Sequence, residues 1–337
     1  MSTLPATIKA LLDPRAYPHK PPDIQLAQTQ MSFVFLAGEL VYKVKKGVNL
    51  GYLDYSTLEK RHFFCQQELE LNRRLCPDVY LGVVPITEEA NTFRISGKGK
   101  AVEYAVKMKR LPQDRMMDVL LSQGLVTGEM MAEVAQKLAG FHRQARTSPE
   151  IASFGGLEIV RQNTKENFLQ TERYIGASIS PAEYRHIKSY TDGFVDSNTS
   201  LFDARVREGR IRDCHGDLHA AHVCFTDAIC IYDCIEFNDR FRYADVASEL
   251  AFLAMDVDRC QRVELARRLV DDYVKLTRDD DLLKLLLFYK CYRAYVRGKV
   301  ESFKLDDPYI PEGEKTKVLA VAQEYFRLAE SYALKGS

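Results

Sequence analysis

Residues 214–222 read Cys-His-Gly-Asp-Leu-His-Ala-Ala-His and place three of the chain's seven histidines around one aspartate, Asp217. A hairpin-like stretch follows over 222–225 and 228–232, and it runs into Asp233-Cys-Ile-Glu236-Phe-Asn238. Strands fix side-chain direction better than loops do, so carboxylates at the mouth of a hairpin can converge on one point. One carboxylate on a loop can accept a hydroxyl proton while another at a strand end holds a divalent cation. Phosphoryl transfer needs that arrangement: positioning, a weak base, and metal on the phosphates. The H-x-D-x-H-x-x-H spacing also has metal-ligand character, so a metal-dependent hydrolase using His215, Asp217, His219 and His222 is a competing reading.

The surrounding sequence supplies elements to hold these residues. An extended stretch over 24–30 precedes a hairpin over 32–45 that turns at Gly38-Glu39. A helix is expected over 57–75, because Ser56 and Glu59 have capping-box spacing and Cys76-Pro77 closes the run. Two more strands, over 93–95 and 102–108, bracket the polar stretch 96–100, whose Gly97-Lys98-Gly99-Lys100 reads as a hairpin tip. A short helix over 5–12 comes first in the chain. Past Leu111-Pro112, helical patterns dominate at 116–122, 128–144, 159–174 and 181–208, and again from Asp245 onward. The expected fold class is α+β: a mostly β part, 1–111, with one helix, then a larger and mainly helical part, 112–337, carrying a small β element.

His215-Gly216-Asp217-Leu218-His219, followed by Asp233, resembles the catalytic segment of the aminoglycoside phosphotransferase-like kinases. Val41-Tyr42-Lys43-Val44 resembles their ATP-lysine strand, and Glu68 in Gln66-Gln67-Glu68-Leu69 resembles the helix glutamate that pairs with that lysine. Lys107-Met108-Lys109-Arg110-Leu111 falls where the hinge belongs, and Asp245-Val246-Ala247-Ser248-Glu249 resembles the helix start after the metal loop. The blocks keep the family's order over residues 25–255. The resemblance implies a bilobal protein-kinase-like fold, with a small antiparallel-sheet lobe and a larger helical lobe. It implies transfer of the γ-phosphate of ATP, with Mg²⁺ or Mn²⁺, to a hydroxyl of a small molecule.

By the same resemblance Asp217 is the base and His215 braces its loop, while Asp233 binds the metal with Glu236 as its rival. Lys43 holds the phosphates with Glu68 as partner, and Val41 and Met108 lie at the nucleotide. Lys45 shares the strand face of Lys43, and Glu70 lies close to Glu68, so a different register is open. Asp245 is expected to bond amides of the 215–217 loop or to cap its own helix, and Glu249 could do similar work. Where the family carries a metal-binding asparagine this chain has His222, whose imidazole suits transition metals better than magnesium, so His222 binds a different cation, orients Asp217 or has no metal role. The phosphate-covering stretch Gln28-Thr29-Gln30-Met31-Ser32 has no glycine, and the hydroxyls of Thr29 and Ser32 are the expected substitutes. Both departures motivate an alternative, a nucleotide-binding pseudokinase scaffold. The resemblance is to a bacterial branch often fused to a C-terminal P-loop kinase domain; no G-x-x-x-x-G-K-[ST] occurs, so the expectation is the bilobal fold alone. Tyr289, Lys290, Arg293 and Arg297, mostly at i, i+4 spacing, read as a solvated face, with an acceptor-binding pocket edge as the other reading.

Composition bounds the rest. Equal numbers of basic and acidic residues, 47 each, argue against a generic nucleic-acid binder. Eight irregularly spaced cysteines without a C-x-x-C pair argue against a zinc ribbon or disulfide framework, so reduced thiols in a cytoplasmic protein are expected. The polar, Pro-rich start does not read as a signal peptide, and no apolar run approaches the roughly 20 residues of a bilayer span. The expected partner is a small-molecule acceptor, with no nucleic acid and no membrane, and the oligomeric state is open. Residues 1–111 carry 16 basic and 11 acidic side chains and the remainder 31 and 36, so a net +5 faces a net −5. A positive half suits a nucleotide and an acidic half suits a metal and a cationic acceptor.

Overall fold

Alternating burial builds the first sheet. In β2 (Ser32–Ala37), Phe33, Phe35 and Ala37 share one face, and across the register they meet Val44 and Tyr42 of β3 (Leu40–Lys45). Ile8, Leu11 and Tyr17, from α1 (Ala6–Ala10) and the turns after it, cover that face with Ile86, Ile95 and Ala105. The opposite face of β3 carries Val41, Lys43 and Lys45. With β1 (Gln25–Gln28), β4 (Tyr80–Glu89), β5 (Thr92–Ile95) and β6 (Lys100–Lys109), the antiparallel sheet has the order β1-β2-β3-β6-β4-β5. This is a computed structural model, and it describes residues 4–307 and 310–336.

The sheet corrects two sequence expectations. β4 has no counterpart among the expected strands, because Gly82 and Pro85 interrupt its pattern. The sheet absorbs both: the register shifts between Tyr80 and Gly82, and Pro85 sits opposite Tyr104. Residues 96–99 are not a hairpin tip either. β5 pairs with β4, and β6 lies on the other side of β4, so this stretch crosses over the end of β4. The crossing is tight: a Cβ at Gly99 would come within 2.1 Å of the Glu88 carbonyl oxygen.

α2 (Leu58–Arg73) packs on β4 and β6. Its N-cap is Thr57, whose hydroxyl accepts from Lys60 N at 3.3 Å, so the expected Ser56–Glu59 box sits one residue early; Ser56 bonds Asp54 instead. Later strands are β7 (Ile211–Asp213), the hairpin β8 (Val223–Phe225) and β9 (Ile229–Ile231), and β10 (Tyr243–Asp245), which pairs with β7. The later helices are α3 (Met117–Ser122), α4 (Gly128–Gln144), α5 (Pro149–Ser153), α6 (Leu157–Thr171), α7 (Pro181–Ser197), α8 (Thr199–Arg207), α9 (Asp239–Arg242), α10 (Val246–Arg259), α11 (Val263–Thr277), α12 (Leu282–Phe303) and α13 (Glu312–Gly336). The helix expected over 181–208 is thus two, broken at Asn198, where ψ turns to 26°.

The chain divides into two compact units, one of 1–116 with 222–239 and one of 117–221 with 240–337. The α+β class expected from the sequence is the class observed. The first unit takes in the β8–β9 hairpin with its aspartates and therefore carries 17 basic and 16 acidic side chains, against 30 and 31 in the second. The charge asymmetry read at residue 111 disappears once the units are drawn by contact. The second unit has its own core, in which Phe252 and Met255 of α10, Tyr295 of α12 and Phe326 of α13 pack with Phe168 and Ile187. Among the described residues no helix is long and apolar enough to cross a membrane.

The cysteine expectation is also corrected. Cys76 and Cys230, 154 residues apart in sequence, form a disulfide with their Cα atoms 4.8 Å apart, a pairing that spacing alone does not reveal. Cys65, Cys214, Cys224, Cys234, Cys260 and Cys291 take no part in a disulfide.

Gly99→Ala should destabilise the protein by about 2 kcal/mol in urea unfolding, because backbone must move to admit the methyl. Gly128→Ala, where a Cβ meets nothing within 4 Å, should be neutral or better.

Candidate active site

In the first unit the inner face of β3 meets α2. Glu68 is completely buried there, and two lysines from alternate strand positions reach it: Lys43 Nζ lies 2.9 Å from Oε1 and Lys45 Nζ 2.7 Å from Oε2. Burial penalises the Glu68 carboxylate, yet the two ammonium groups hold it below its ordinary value. The same logic acts in reverse on the lysines. Burial would push each down, but the carboxylates of Asp233 and Glu68 around Lys43, and of Glu236 and Glu68 around Lys45, hold both well above the usual range.

The segment after β9 brings the other two carboxylates. Asp233 Oδ1 lies 2.6 Å from Lys43 Nζ, whereas Glu236 Oε1 accepts from Lys45 Nζ and, at 2.5 Å, from the hydroxyl of Tyr55. Asp233 adopts φ 62°, a left-handed conformation that aspartate tolerates better than most residues, and its amide donates to Tyr80 Oη at 3.2 Å. The Cys234 amide donates to Asn72 Oδ1 at 2.9 Å. Lys43 and Lys45 therefore both take part, sharing Glu68 and differing in their second carboxylate, Asp233 for Lys43 and Glu236 for Lys45, while Glu70 is exposed and has no place in the cluster. Val41 and Met108 face each other across the β3–β6 register. His222 Nε2 lies 3.6 Å from Asp233 Oδ2, beyond hydrogen-bond length. Thr29 does not hold its hydroxyl in reserve, since Oγ1 accepts from the amides of Met31 and Ser32 within its own turn, at 3.2 and 3.0 Å.

In the second unit a buried glutamate again sets the geometry. Glu249 Oε1 accepts from the amides of His215 and Gly216, at 2.7 and 2.8 Å, and Oε2 accepts from His142 Nε2 at 2.7 Å. His142 Nδ1 lies 2.7 Å from the hydroxyl of Tyr273. Gly216 has φ 89°, open to glycine and strained for other residues, and this turn carries Asp217 out of the buried stretch. His215 is fully buried and accepts from the Asp217 amide at 3.3 Å. The far end of the loop is tied by the Ala220 amide, which donates to Asp256 Oδ2 at 3.0 Å. His219 Nε2 lies 3.6 Å from Asp217 Oδ2. Of the two bracing roles open to Asp245, the structure shows helix capping: it accepts from the Ala247 amide and grips Arg205, leaving the loop amides to Glu249.

Sequence reasoning missed Tyr55, Tyr80, Asn72 and His142. Only Tyr55 stood near a signal, next to Ser56 of the expected capping box. The solvated-face reading of α12 is overturned: Tyr289, Lys290 and Arg293 are buried. Their partners lie far away in sequence, since Lys290 meets Asp258 at 2.9 Å and Arg293 reaches Ser248 Oγ at 3.0 Å and the Gly216 carbonyl at 3.4 Å. Arg297 is partly exposed; burial opposes its charge, but Tyr325 and Asp217 hold its pKa above the ordinary arginine value.

Three outcomes follow, each read from unfolding free energies. The protein network lowers the Glu249 pKa from 4.5 to about 2, although burial alone would raise it. Its ionised form therefore contributes stability that is complete above pH 4.5 and lost as pH falls toward 2. The contribution is about 3 kcal/mol, and the difference in unfolding free energy between wild type and Glu249→Gln should shrink across that window. Lys45→Met should cost about 3–5 kcal/mol because it strips the buried Glu236 of its cation. Lys43→Met should cost about 1–2 kcal/mol, since Lys45 still holds Glu68.

No family model matches the chain. Two curated relatives, uncharacterized proteins of Mycobacterium tuberculosis (strain ATCC 25618 / H37Rv) and Mycobacterium bovis (strain ATCC BAA-935 / AF2122/97), are each 32% identical over 281 residues, 83% of this chain. The chain spans 55% of the length of each. Among solved structures, a choline/ethanolamine kinase family protein from Mesorhizobium loti superposes with a TM-score of 0.55 at 12% identity, covering 98% of this chain and 100% of that one. A structure from Ralstonia eutropha JMP134, provisionally named an aminoglycoside phosphotransferase, superposes with a TM-score of 0.51 at 10% identity, covering 97% and 98%. The chain therefore has the protein-kinase-like fold of these two structures.

Proposed function

We propose that the chain is an ATP-dependent phosphotransferase that transfers the γ-phosphate to a hydroxyl of a small molecule. The observation that carries this reading is the charge balance of the Lys43–Glu68–Asp233 cluster. Two lysines face three carboxylates, Glu68, Asp233 and Glu236. The carboxylates outnumber these lysines by one, and the one most open to solvent is Asp233, with its side chain 40% exposed. An oxygen donor of that kind fits Mg²⁺ or Mn²⁺. Glu236, buried and already accepting from Lys45 and Tyr55, does not offer itself to a cation. In this reading Asp233 is the metal ligand, and Glu236 and Lys45 position the strand and segment beside it. His222 acts on Asp233 from a distance, as an imidazole suits a magnesium shell poorly.

Bound Mg²⁺–ATP would supply the phosphoryl group and neutralise its charge. Lys43 would hold the phosphates and Asp233 the cation, and Glu68 keeps the Lys43 ammonium aimed. Asp217, projecting from a loop pinned through Glu249 and Asp256, accepts the acceptor's hydroxyl proton. Arg297, partly exposed and in electrostatic reach of Asp217, is itself paired with Glu301 at 3.4 Å, so its support for a polar or anionic group on the acceptor is small. The acidic residues near that loop are occupied: Asp256 meets Arg259 and Tyr325, and Asp258 meets Lys290 and Tyr332. They lend little support to a cationic acceptor.

The turn at Thr29, whose hydroxyl is used locally, favours a second reading in which nucleotide binds without transfer. One experiment separates the two. Purified protein is screened with ATP, Mg²⁺ or Mn²⁺, and sugars, aminoglycosides, nucleosides and amino alcohols, and Asp217→Asn is compared for nucleotide affinity. Transfer that falls about a hundredfold or more in Asp217→Asn, with affinity for ATP kept, is the expected result. Binding without turnover across the screen selects the scaffold.

A further inference from the structure

The disulfide between Cys76 and Cys230 lies within the first unit and joins the two segments that supply the carboxylates of the lysine cluster. Cys76 stands eight residues after Glu68, just past the end of α2, and Cys230 stands three residues before Asp233, on β9. The bond closes a ring: Glu68, the last turns of α2, Cys76, Cys230, Asp233, Lys43, and back to Glu68. Without it the same two segments are joined by weaker ties. Asn72 Oδ1 accepts from the Cys234 amide at 2.9 Å, Arg74 Nη2 lies 3.4 Å from Cys234 Sγ, and Tyr80 accepts from the Asp233 amide at 3.2 Å. β9 is a three-residue strand that, among the described residues, pairs only with β8. So short a hairpin has little intrinsic stability, and the position of Asp233 depends on what anchors β9.

We infer that Cys76–Cys230 is a reversible redox tie that sets how firmly Asp233 is presented to Lys43. Its effect on nucleotide rests on the phosphotransferase reading above; its effect on the segment does not. Oxidation by a low-molecular-weight disulfide such as glutathione disulfide balances as thiol–disulfide exchange. One protein thiolate attacks a sulfur of the reagent and expels a thiolate, and the second protein thiolate then displaces the other half. The protein loses two electrons and two protons, and the reagent becomes two thiols. A dithiol reductant runs the exchange backward, leaving as its own cyclic disulfide. Both cysteines are nearly buried, at 3% and 4% exposure, so exchange proceeds through local opening of the short hairpin. The oxidised form holds both carboxylate-bearing segments in place before nucleotide arrives and should bind it more tightly.

The test uses the full chain in two states, reduced with dithiothreitol and oxidised with glutathione disulfide. Alkylation of the denatured protein, read by mass, should label six thiols in the oxidised state and eight in the reduced one. Hydrogen exchange should rise over residues 229–236 on reduction, and the affinity for a non-hydrolysable ATP analogue with Mg²⁺ should fall about fivefold or more. Cys76→Ser should match the reduced state under both conditions. Eight thiols after oxidation overturn the inference, as does unchanged exchange over 229–236. Equal affinity in the two states, or tighter binding after reduction, overturns its functional half. If neither state binds the analogue while exchange still responds, the tie stands and the phosphotransferase reading falls. The wild-type comparison decides the question even if Cys76→Ser fails to fold.

Discussion

The first unit depends on a carboxylate that has no access to water. An isolated buried glutamate would take up a proton; Glu68 stays ionised because two ammonium groups converge on it from one strand. That requirement fixes much around it. β3 must keep strict alternation so that Lys43 and Lys45 point the same way, and α2 must turn Glu68 rather than Glu70 toward the sheet. Two lysines against one glutamate would leave a buried positive charge, and Glu236, returning after β9, offsets it beside Lys45 while the more exposed Asp233 meets Lys43. The geometry is thus imposed by charge neutralisation, and apolar packing on the other face of the sheet holds the frame in which it can occur.

The second unit solves a related problem with different chemistry. Glu249 is as buried as Glu68, but it is matched by one imidazole and two backbone amides rather than by lysines. Amides cannot move independently of the chain, so a carboxylate that binds two of them fixes the backbone conformation just before Asp217. Lysine side chains, by contrast, are long and can exchange partners. The difference matches the two tasks in the proposed mechanism: a loop held in one conformation, and an ammonium group that can pass from Asp233 to phosphate.

How far these features were legible in the sequence follows from the range of the interactions. Strand alternation placed Lys43 and Lys45 on one face, and helix periodicity separated Glu68 from Glu70, because both are local properties of the backbone. The choice between Asp245 and Glu249 as the loop's anchor was not local. Either residue could reach amides, and only the packing of α10 against His142 and the loop decides it. β4 was hidden because its glycine and proline break the pattern, while the neighbours that tolerate them are β5 and β6. The cations of α12 looked solvated since their partners, Asp258, Ser248 and Gly216, come from other elements. Cys76 and Cys230 gave no signal at a separation of 154 residues.

Incomplete burial separates the groups that can react from those that hold them. Lys45, Glu68, Glu236, His142, His215 and Glu249 are all buried, and each is engaged by neighbouring charged, polar or backbone groups. A group in that state cannot exchange its partners for substrate without a large desolvation and pairing cost. Lys43, Asp217 and Asp233 keep side-chain exposures of 16%, 33% and 40%. Each is braced from its buried side: Lys43 by Glu68, Asp217 through the Glu249-bound amides, and Asp233 through the Tyr80 hydroxyl. A phosphotransferase needs charges that are fixed in direction yet free to change partner during a turnover. These three side chains combine a rigid support with an open face, so the proposed chemistry is assigned to them and not to the larger buried set around them.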